Sequence, residues 1–174
     1  MLRLMLLRHA KSSWMDTRLA DRDRPLNGRG RKSARLVAGY IMDGKLTPDA
    51  ILVSPAKRAQ ETLEILVPPL TPARVETVDN LYDFGDGEVL LDVIGTRGKS
   101  ARSLMLIGHN PAIENLAATL IGGGDKALRA DLERKYPTAA LAVIDFKGRS
   151  WSRLKAGSGT LTAFVKPRAL AADD

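Results

Sequence analysis

Short hydrophobic runs alternate along the chain with segments that have the periodicity of amphipathic helices. Three continuous runs, at residues 2–7, 50–54 and 103–108, have the length of strands and are typical of strands buried on both faces of a sheet. Residues 27–43 instead place hydrophobic side chains three and four positions apart and keep arginines off that face, which predicts a helix.

Turn signals divide the rest of the chain into further elements. The Pro68-Pro69 pair is expected to end a second helix at residues 56–66, and Asn110 to cap a helix that follows it directly. The run Gly122–Gly124 predicts a flexible turn. The remaining predicted elements are strands near residues 74–78, 139–146 and 160–165, and helices near residues 90–94 and 127–135.

This alternation of strands and helices predicts the fold class. We expect an α/β fold of three layers, α/β/α, with a mostly parallel central sheet. No internal repeat or linker interrupts the pattern, and 174 residues suit a single domain at residues 1–174. In such folds ligands bind beyond the carboxyl ends of the strands, so functional residues are sought there.

Composition removes several classes of function. The chain has no cysteine, which excludes disulfides, a thiolate nucleophile and cysteine-ligated zinc. Its two histidines are too few for an all-histidine metal site, so we expect no metal. No hydrophobic run approaches the ~18 residues of a membrane span, and no targeting segment is evident. We therefore expect a cytoplasmic protein without membrane association.

Charge narrows the choice of partner. Lys and Arg number 27 and Asp and Glu 20, and the formal net charge of +7 favours an anionic partner, either a phosphorylated substrate or nucleic acid. Nucleic acid is disfavoured because aromatic residues make up only 5 % and none lie among the basic residues to stack on bases. Most of the net charge is expected to be a diffuse surface property. Its largest cluster, read as the solvated face of the first helix or as an attractive surface for acidic partners, comprises Arg22, Arg24, Arg29, Arg31, Lys32 and Arg35.

Both histidines lie where predicted strands end. Arg8-His9 follows the first strand and His109 the strand at residues 103–108, while Arg58 comes one turn into the helix after the second strand. Arginine offers planar paired donors that match phosphate oxygens. Two imidazoles and two guanidiniums that converge at one sheet edge therefore predict a phosphoryl-binding pocket.

The same segments resemble those of the histidine phosphatase superfamily, the phosphoglycerate-mutase-like enzymes. LMLLRHAKSSW resembles the superfamily's Arg-His-Gly type signature, and RDRPLNGRGRKSA the run before its first helix. SPAKRAQET is similar to the segment with the second pocket arginine, GHNPAIE to that with the second histidine, and LYDFGDGEVL to the loop that holds the acid. The match covers about the first 120 residues in the family's order. The Ala10-Lys11-Ser12 ending and the lack of lid-forming insertions resemble the small SixA-like phosphohistidine phosphatases.

The resemblance implies a phosphoglycerate-mutase-like fold and a role for each motif residue. His9 would be the nucleophile that becomes a phosphohistidine, and Arg8, Arg58 and His109 would contact the phosphoryl oxygens, without a cofactor. Asp83 aligns with the general acid, with Asp86 and Glu88 as competitors and a solvated turn as the alternative for all three. Further candidates for phosphate or substrate contact are Lys11, Ser12 and Asn110.

We therefore expect a metal-independent phosphatase, with phosphohistidine in a protein as its preferred substrate. A small-molecule phosphomonoesterase of the same superfamily is the alternative. A basic nucleic-acid-binding module, or a phosphate-sensing module without turnover, is the alternative from another class. If Asp83 does not act as a general acid, phosphohistidine is favoured as the substrate, because a phosphoramidate nitrogen leaves more readily than an alkoxide.

Overall fold

A computed structural model describes residues 1–72 and 74–171 of the chain. Its strands are β1 (Leu2–Arg8), β2 (Ala50–Val53), β3 (Arg74–Thr77), β4 (Ser103–Gly108), β5 (Ile121–Gly124), β6 (Leu141–Phe146) and β7 (Gly159–Val165). Its helices are α1 (Gly28–Asp43), α2 (Lys57–Leu70), α3 (Glu88–Arg97), α4 (Ala112–Leu120), α5 (Lys126–Arg134) and α6 (Pro167–Ala171). Short 3₁₀ turns lie at Asp21–Asp23, Asp79–Leu81 and Trp151–Arg153.

The seven strands form one sheet in the order β3-β2-β4-β1-β6-β7-β5. β3, β2, β4 and β1 run parallel to one another, β6 is antiparallel to both of its neighbours, and β5 is parallel to β7. Six strands thus point one way and one points the other, which confirms the predicted mixed α/β fold with a mostly parallel sheet.

Both faces of the sheet are buried, which explains the continuous hydrophobic runs. Along β1, Leu4 and Leu6 join a core with residues of α3 and α4, whereas Met5 and Leu7 join a second core with residues of α1 and α2. Successive strand residues point to opposite faces, so the interior positions 4–7 of the central strand β1 are all apolar.

Helix α1 positions the loop that follows β1. The Asn27 side chain accepts a hydrogen bond of 2.8 Å from the Gly30 N–H, which caps the helix. A Cβ on Gly30 would lie 2.1 Å from the Lys11 carbonyl oxygen, so only glycine lets the helix and loop approach this closely. The first turn of α1 therefore packs directly against the segment after His9.

The prediction that the second helix ends before the proline pair is wrong. Helix α2 continues through Pro68 and Pro69 to Leu70. Both prolines lie in its last turn, where the Thr71 N–H still bonds to the Val67 carbonyl at 2.9 Å. Because Leu70 is only 1 % exposed, packing against the core offsets the loss of two N–H donors.

The glycine run also differs from its prediction. Gly122–Gly124 belongs to β5 at the edge of the sheet and pairs with β7 instead of forming a flexible turn. A Cβ on Gly122 would lie 2.0 Å from the Gly157 carbonyl oxygen, so close backbone packing accounts for glycine there.

Candidate active site

Strand order brings the two histidines together. β1 and β4 are adjacent and parallel, and their register pairs Arg8 with Gly108, so His9 and His109 each follow one member of that pair. The two imidazole centroids are 5.1 Å apart. β2 flanks β4 on its other side and leads into α2, which brings Arg58 to the same edge.

His9 is held in one tautomer. Its Nδ1 lies 2.7 Å from the carbonyl oxygen of Ala10, and because a carbonyl only accepts, Nδ1 carries the proton. Nε2 therefore keeps its lone pair and accepts a hydrogen bond of 3.3 Å from Arg58 Nε. Burial, with smaller contributions from the nearby guanidiniums, lowers the pKa of His9 to about 3. At neutral pH the ring is thus an uncharged imidazole with an available nitrogen.

A buried threonine fixes the loop around His9. The Thr62 hydroxyl accepts a 3.0 Å hydrogen bond from the Ala10 N–H and donates one of 2.7 Å to the Arg58 carbonyl. Ala10, which supplies the carbonyl that sets the His9 tautomer, is therefore tied to the helix that carries Arg58.

Arg58 occupies the centre of the site and is 2 % exposed. Besides His9, its guanidinium contacts His109 Nδ1 at 3.3 Å through Nη2. It also donates to the backbone carbonyl of Asp21 at 2.7 Å and to the carboxylate of that residue at 3.0 Å. One guanidinium thus links both imidazoles to an anionic group.

His109 is held as rigidly as His9. Guanidinium nitrogens only donate, so Nδ1 accepts from Arg58 and Nε2–H donates to Ser54 Oγ at 2.7 Å. The Ser54 hydroxyl also accepts from the Ala56 N–H at 3.2 Å, just before α2 begins. Burial, with the proximity of His9 and Arg58, lowers the pKa of His109 to about 3. Ser54 therefore orients an imidazole of the site.

Arg8 contributes a donor that protein groups leave open. Its Nη1 donates to the Tyr136 carbonyl at 2.9 Å. Its buried Nε, in contrast, has no hydrogen-bond partner among the described residues, and no other fully buried side-chain nitrogen or oxygen in residues 1–72 and 74–171 shares this property. Buried donors in native proteins are almost always paired, so an open one at a site edge suits an incoming anion.

Three residues that the sequence patterns did not select complete the site: Asp21, Arg24 and Tyr82. The Asp21 carboxylate contacts Arg24 Nη2 at 2.9 Å, Arg58 Nη2 at 3.0 Å and the Tyr82 hydroxyl at 2.5 Å. Burial raises the pKa of Asp21, but these hydrogen bonds outweigh it and hold the pKa well below its usual range. Asp21 is therefore ionised at neutral pH.

The position of Arg24 differs from the one predicted for the basic cluster. It precedes α1 and does not lie on the solvated face of that helix; it is 7 % exposed and donates to Ser12 Oγ at 2.5 Å. Its Cζ lies 3.6 Å from the centroid of the Trp14 ring. The sequence signal that separates it from its neighbours is Pro25, because a residue directly before proline is disfavoured in a helix.

The other candidate contact residues have different surroundings. Ser12 is buried against Arg24, while Lys11 is exposed at the mouth of the site. Asn110 donates to the Tyr136 carbonyl at 3.0 Å and to Glu114 at 3.1 Å. α4 begins at Ala112 and is preceded by Pro111, so the expected cap at Asn110 is displaced by one residue. Instead the Asn110 side chain accepts from the Glu114 N–H at 3.3 Å.

The candidate acids lie on the loop before α3. Asp83 accepts a hydrogen bond of 3.2 Å from the Gly85 N–H, Asp86 accepts one of 3.0 Å from the Glu88 N–H, and Glu88 begins the helix. Among the described residues, no hydrogen bond or ion pair joins these carboxylates to Arg8, His9, Arg58 or His109. Their neighbours in the loop do reach the site, since the Tyr82 and Phe84 rings lie 5.3 and 4.9 Å from the His109 ring.

The site opens into a groove of about 1240 Å³ that extends past α1 toward α5 and α6. In residues 1–72 and 74–171, no three His, Asp or Glu side chains form a group that could hold a metal ion. No helix in that part of the chain is long and apolar enough to cross a membrane.

Comparison with known proteins finds a matching family model and related sequences. The model of the histidine phosphatase superfamily (branch 1) matches residues 4–92. A Mycobacterium tuberculosis protein described as uncharacterised is 35 % identical over 93 % of this chain and 100 % of its own length. The phosphohistidine phosphatase SixA of Escherichia coli is 30 % identical over 95 % of this chain and 94 % of its own.

Solved structures with a similar fold are also found. A crystal structure from Agrobacterium tumefaciens, provisionally described as phosphohistidine phosphatase SixA, superposes with a TM-score of 0.80 at 31 % identity. The superposition covers 95 % of this chain and 98 % of that one.

Proposed function

The chain belongs to the histidine phosphatase superfamily, which identifies it as a phosphatase, and we propose that it hydrolyses phosphohistidine on proteins through a covalent intermediate on His9. The observation that carries the proposal is the geometry of that ring. Its Nδ1 proton is held by the Ala10 carbonyl, which leaves the Nε2 lone pair for attack beside the Arg58 guanidinium.

The chemistry proceeds in two displacements. Nε2 of His9 attacks phosphorus in line, a bond from nitrogen to phosphorus forms, and the bond to the leaving group breaks. A water oxygen then attacks the phosphorus of the phosphorylated His9, a phosphorus–oxygen bond forms and the phosphorus–nitrogen bond breaks. The water proton leaves with the hydrogen phosphate product or to solvent, and His9 Nε2 regains its lone pair. Because His9 starts uncharged, no proton has to be removed before the first attack.

The cationic groups of the site would bind the phosphoryl group. Arg58 already donates toward Nε2, where the phosphoryl group would bind, and Arg8 lines the same groove with a buried Nε–H that no described residue bonds. At 4 Å and an effective dielectric constant near 20, each full charge pair contributes about 4 kcal/mol before desolvation. The His109 ring lies 5.1 Å from that of His9, and its orientation is set by Ser54 and Arg58.

The acidic groups favour phosphohistidine over an ester. Asp21, the carboxylate within the site, is ionised through its bonds to Arg24, Arg58 and Tyr82, so it has no proton to give. Asp83 is bonded to a backbone N–H of its own loop. An alkoxide leaving group needs a proton donor, whereas the imidazole nitrogen of phosphohistidine departs more readily.

An assay of substrate preference tests the proposal. Purified protein in the presence of EDTA should release phosphate from a phosphohistidine peptide with kcat/KM at least roughly 10²-fold above that for phosphoserine or aryl phosphate, because general acid catalysis is worth about that factor. Faster turnover of the esters than of the phosphohistidine peptide would establish the small-ester alternative instead.

The Asp83→Asn substitution tests whether either substrate class needs this carboxylate. We expect hydrolysis of phosphohistidine to change by less than about threefold, since its leaving nitrogen needs no acid, and residual hydrolysis of phosphoserine to change as little, since Asp83 is bonded within its own loop. A fall of roughly 10²-fold on the ester alone would identify Asp83 as its general acid. Steady-state rates on both substrates measure this. Asp86→Asn, in the same loop, is the matched control and should leave both rates unchanged. A large loss on phosphohistidine would show that this substrate also depends on Asp83.

A further inference from the structure

Positive charge is concentrated around the groove that leads into the active site. Ten of the 27 lysines and arginines of the chain line it, against one of the 18 Asp and Glu residues that the structure describes, Asp21. Outside the groove, the described residues carry 17 basic and 17 acidic side chains. The excess positive charge of the described residues therefore lies along this groove and is not spread over the surface.

Three of these cations belong to the inner site, and two more, Arg134 and Lys166, pair with Asp131. The other five form no ion pair with a described residue. We call these five the basic rim: Lys11, Arg29, Lys32, Lys135 and Arg168.

Separate chain segments build the basic rim. Lys11 follows β1, Arg29 and Lys32 lie one turn apart on α1, Lys135 ends α5 and Arg168 lies in α6. Residues more than 150 positions apart in sequence thus face one groove. Like charges gathered without counter-charges repel one another, so the arrangement suits a surface that an anionic partner covers.

We propose that the basic rim binds acidic side chains around the phosphohistidine of a protein substrate. This inference rests on the proposed function and names the substrate class more closely. The groove, at about 1240 Å³, exceeds the range of roughly 300–1,000 Å³ typical of small-molecule pockets. A single phosphoryl group is already served by Arg8 and Arg58, and beyond Lys11 the rim offers four further cations that a small monoester does not require.

The aromatic residues at the groove favour a polypeptide over nucleic acid. Trp14 is 73 % exposed, but the Arg24 guanidinium lies over its ring. Phe84 packs against the rings of Tyr82 and His109. Both rings are thus already in contact with protein groups, which disfavours their use as base-stacking platforms.

A four-residue variant tests the rim: Arg29→Gln, Lys32→Gln, Lys135→Gln and Arg168→Gln. Lys11 is left intact because it is close to His9. The matched control removes four exposed cations outside the groove: Arg35→Gln, Lys45→Gln, Lys99→Gln and Lys126→Gln. Both variants lose the same net charge, so any difference between them reports position and not charge.

Kinetics on paired peptides provide the readout. Wild type should prefer a phosphohistidine peptide with glutamate flanks over one with glutamine flanks by about 10- to 100-fold in kcat/KM, since each exposed ion pair contributes roughly 1.5- to 5-fold. The rim variant should lose this preference through KM, while the control keeps it. High salt should reduce the preference of wild type, because exposed charges are screened. Turnover of free phosphoramidate should remain within about twofold in both variants, as it needs no flanking contacts.

A second probe keeps the inference distinct from the proposed function. Polyglutamate should inhibit aryl phosphate hydrolysis by wild type, with an inhibition constant about tenfold weaker in the rim variant and unchanged in the control. The expected inhibition by polyglutamate does not depend on phosphohistidine being the substrate. Equal behaviour of rim variant and control in both assays would overturn the proposal. Stronger inhibition by a single-stranded oligonucleotide than by polyglutamate, lost in the rim variant, would overturn the choice of partner.

Discussion

Replacing His9 with alanine should reduce phosphate release by roughly 10⁴- to 10⁶-fold, the loss typical of removing a covalent nucleophile. The hydroxyl groups near His9 are engaged elsewhere, since Ser54 is bonded to His109 and Ser12 to Arg24. The chain has no cysteine that could substitute.

The intermediate can be observed directly. Rapid acid-free quenching of wild type with labelled substrate should trap a phosphoenzyme that is labile to acid and stable to base, as expected for a phosphoramidate. His9→Ala should trap none, whereas Ser13→Ala in the same loop should behave as wild type. Thermal unfolding of both variants would verify that they fold. Label retained by the alanine variant would place the nucleophile elsewhere.

Replacing Arg58 with lysine should lower kcat/KM by roughly 10²- to 10³-fold although the charge is kept, the loss expected for a preorganised donor. The guanidinium simultaneously contacts His9, His109 and Asp21. An ammonium is a compact point charge and cannot reproduce that planar arrangement. Arg31→Lys is the matched control, because Arg31 also pairs with a carboxylate, on Glu61, but lies outside the groove. That variant should keep wild-type activity.

Arg58→Met separates charge from geometry. Removing the guanidinium removes a cation that lowers the pKa of His9, so this pKa should rise from about 3. It should stay below its ordinary value, because burial is the larger cause and persists. An NMR titration of the two imidazoles measures this, and a His9 pKa unchanged from wild type would contradict the assigned contact. Arg58→Lys should leave the pKa nearly as low.

The sequence predicted the parts of the molecule that depend on local pattern. Strand β4 lies at residues 103–108 as expected, and β1 and β2 differ from expectation by one residue at a terminus. Continuous hydrophobic runs identify strands buried on both faces, and parallel strands end at one edge, so the placement of His9 and His109 beside each other could be anticipated. Membership in the histidine phosphatase superfamily was likewise visible in motifs that each span a few residues.

Contacts between distant segments could not be anticipated. Asp21 and Tyr82 lie 61 positions apart and meet only because the loop after β1 folds over the end of β4. Arg24 looked like one more exposed arginine, yet its burial follows from contacts with Ser12 and Asp21. Helix α2 passes through two prolines because its last turn is packed into the core.

Local patterns were therefore enough to predict the α/β fold, the family and the convergence of Arg8, His9, Arg58 and His109 at one sheet edge, because hydrophobic periodicity and short motifs are properties of neighbouring positions. The tautomer of each imidazole, the ionised Asp21 beside Arg58 and the ten cations along one groove follow only from the packed chain. Those features arise from side chains far apart in the chain. The electrostatic interactions between these side chains depend on distances that are set only when the sheet and its loops are packed.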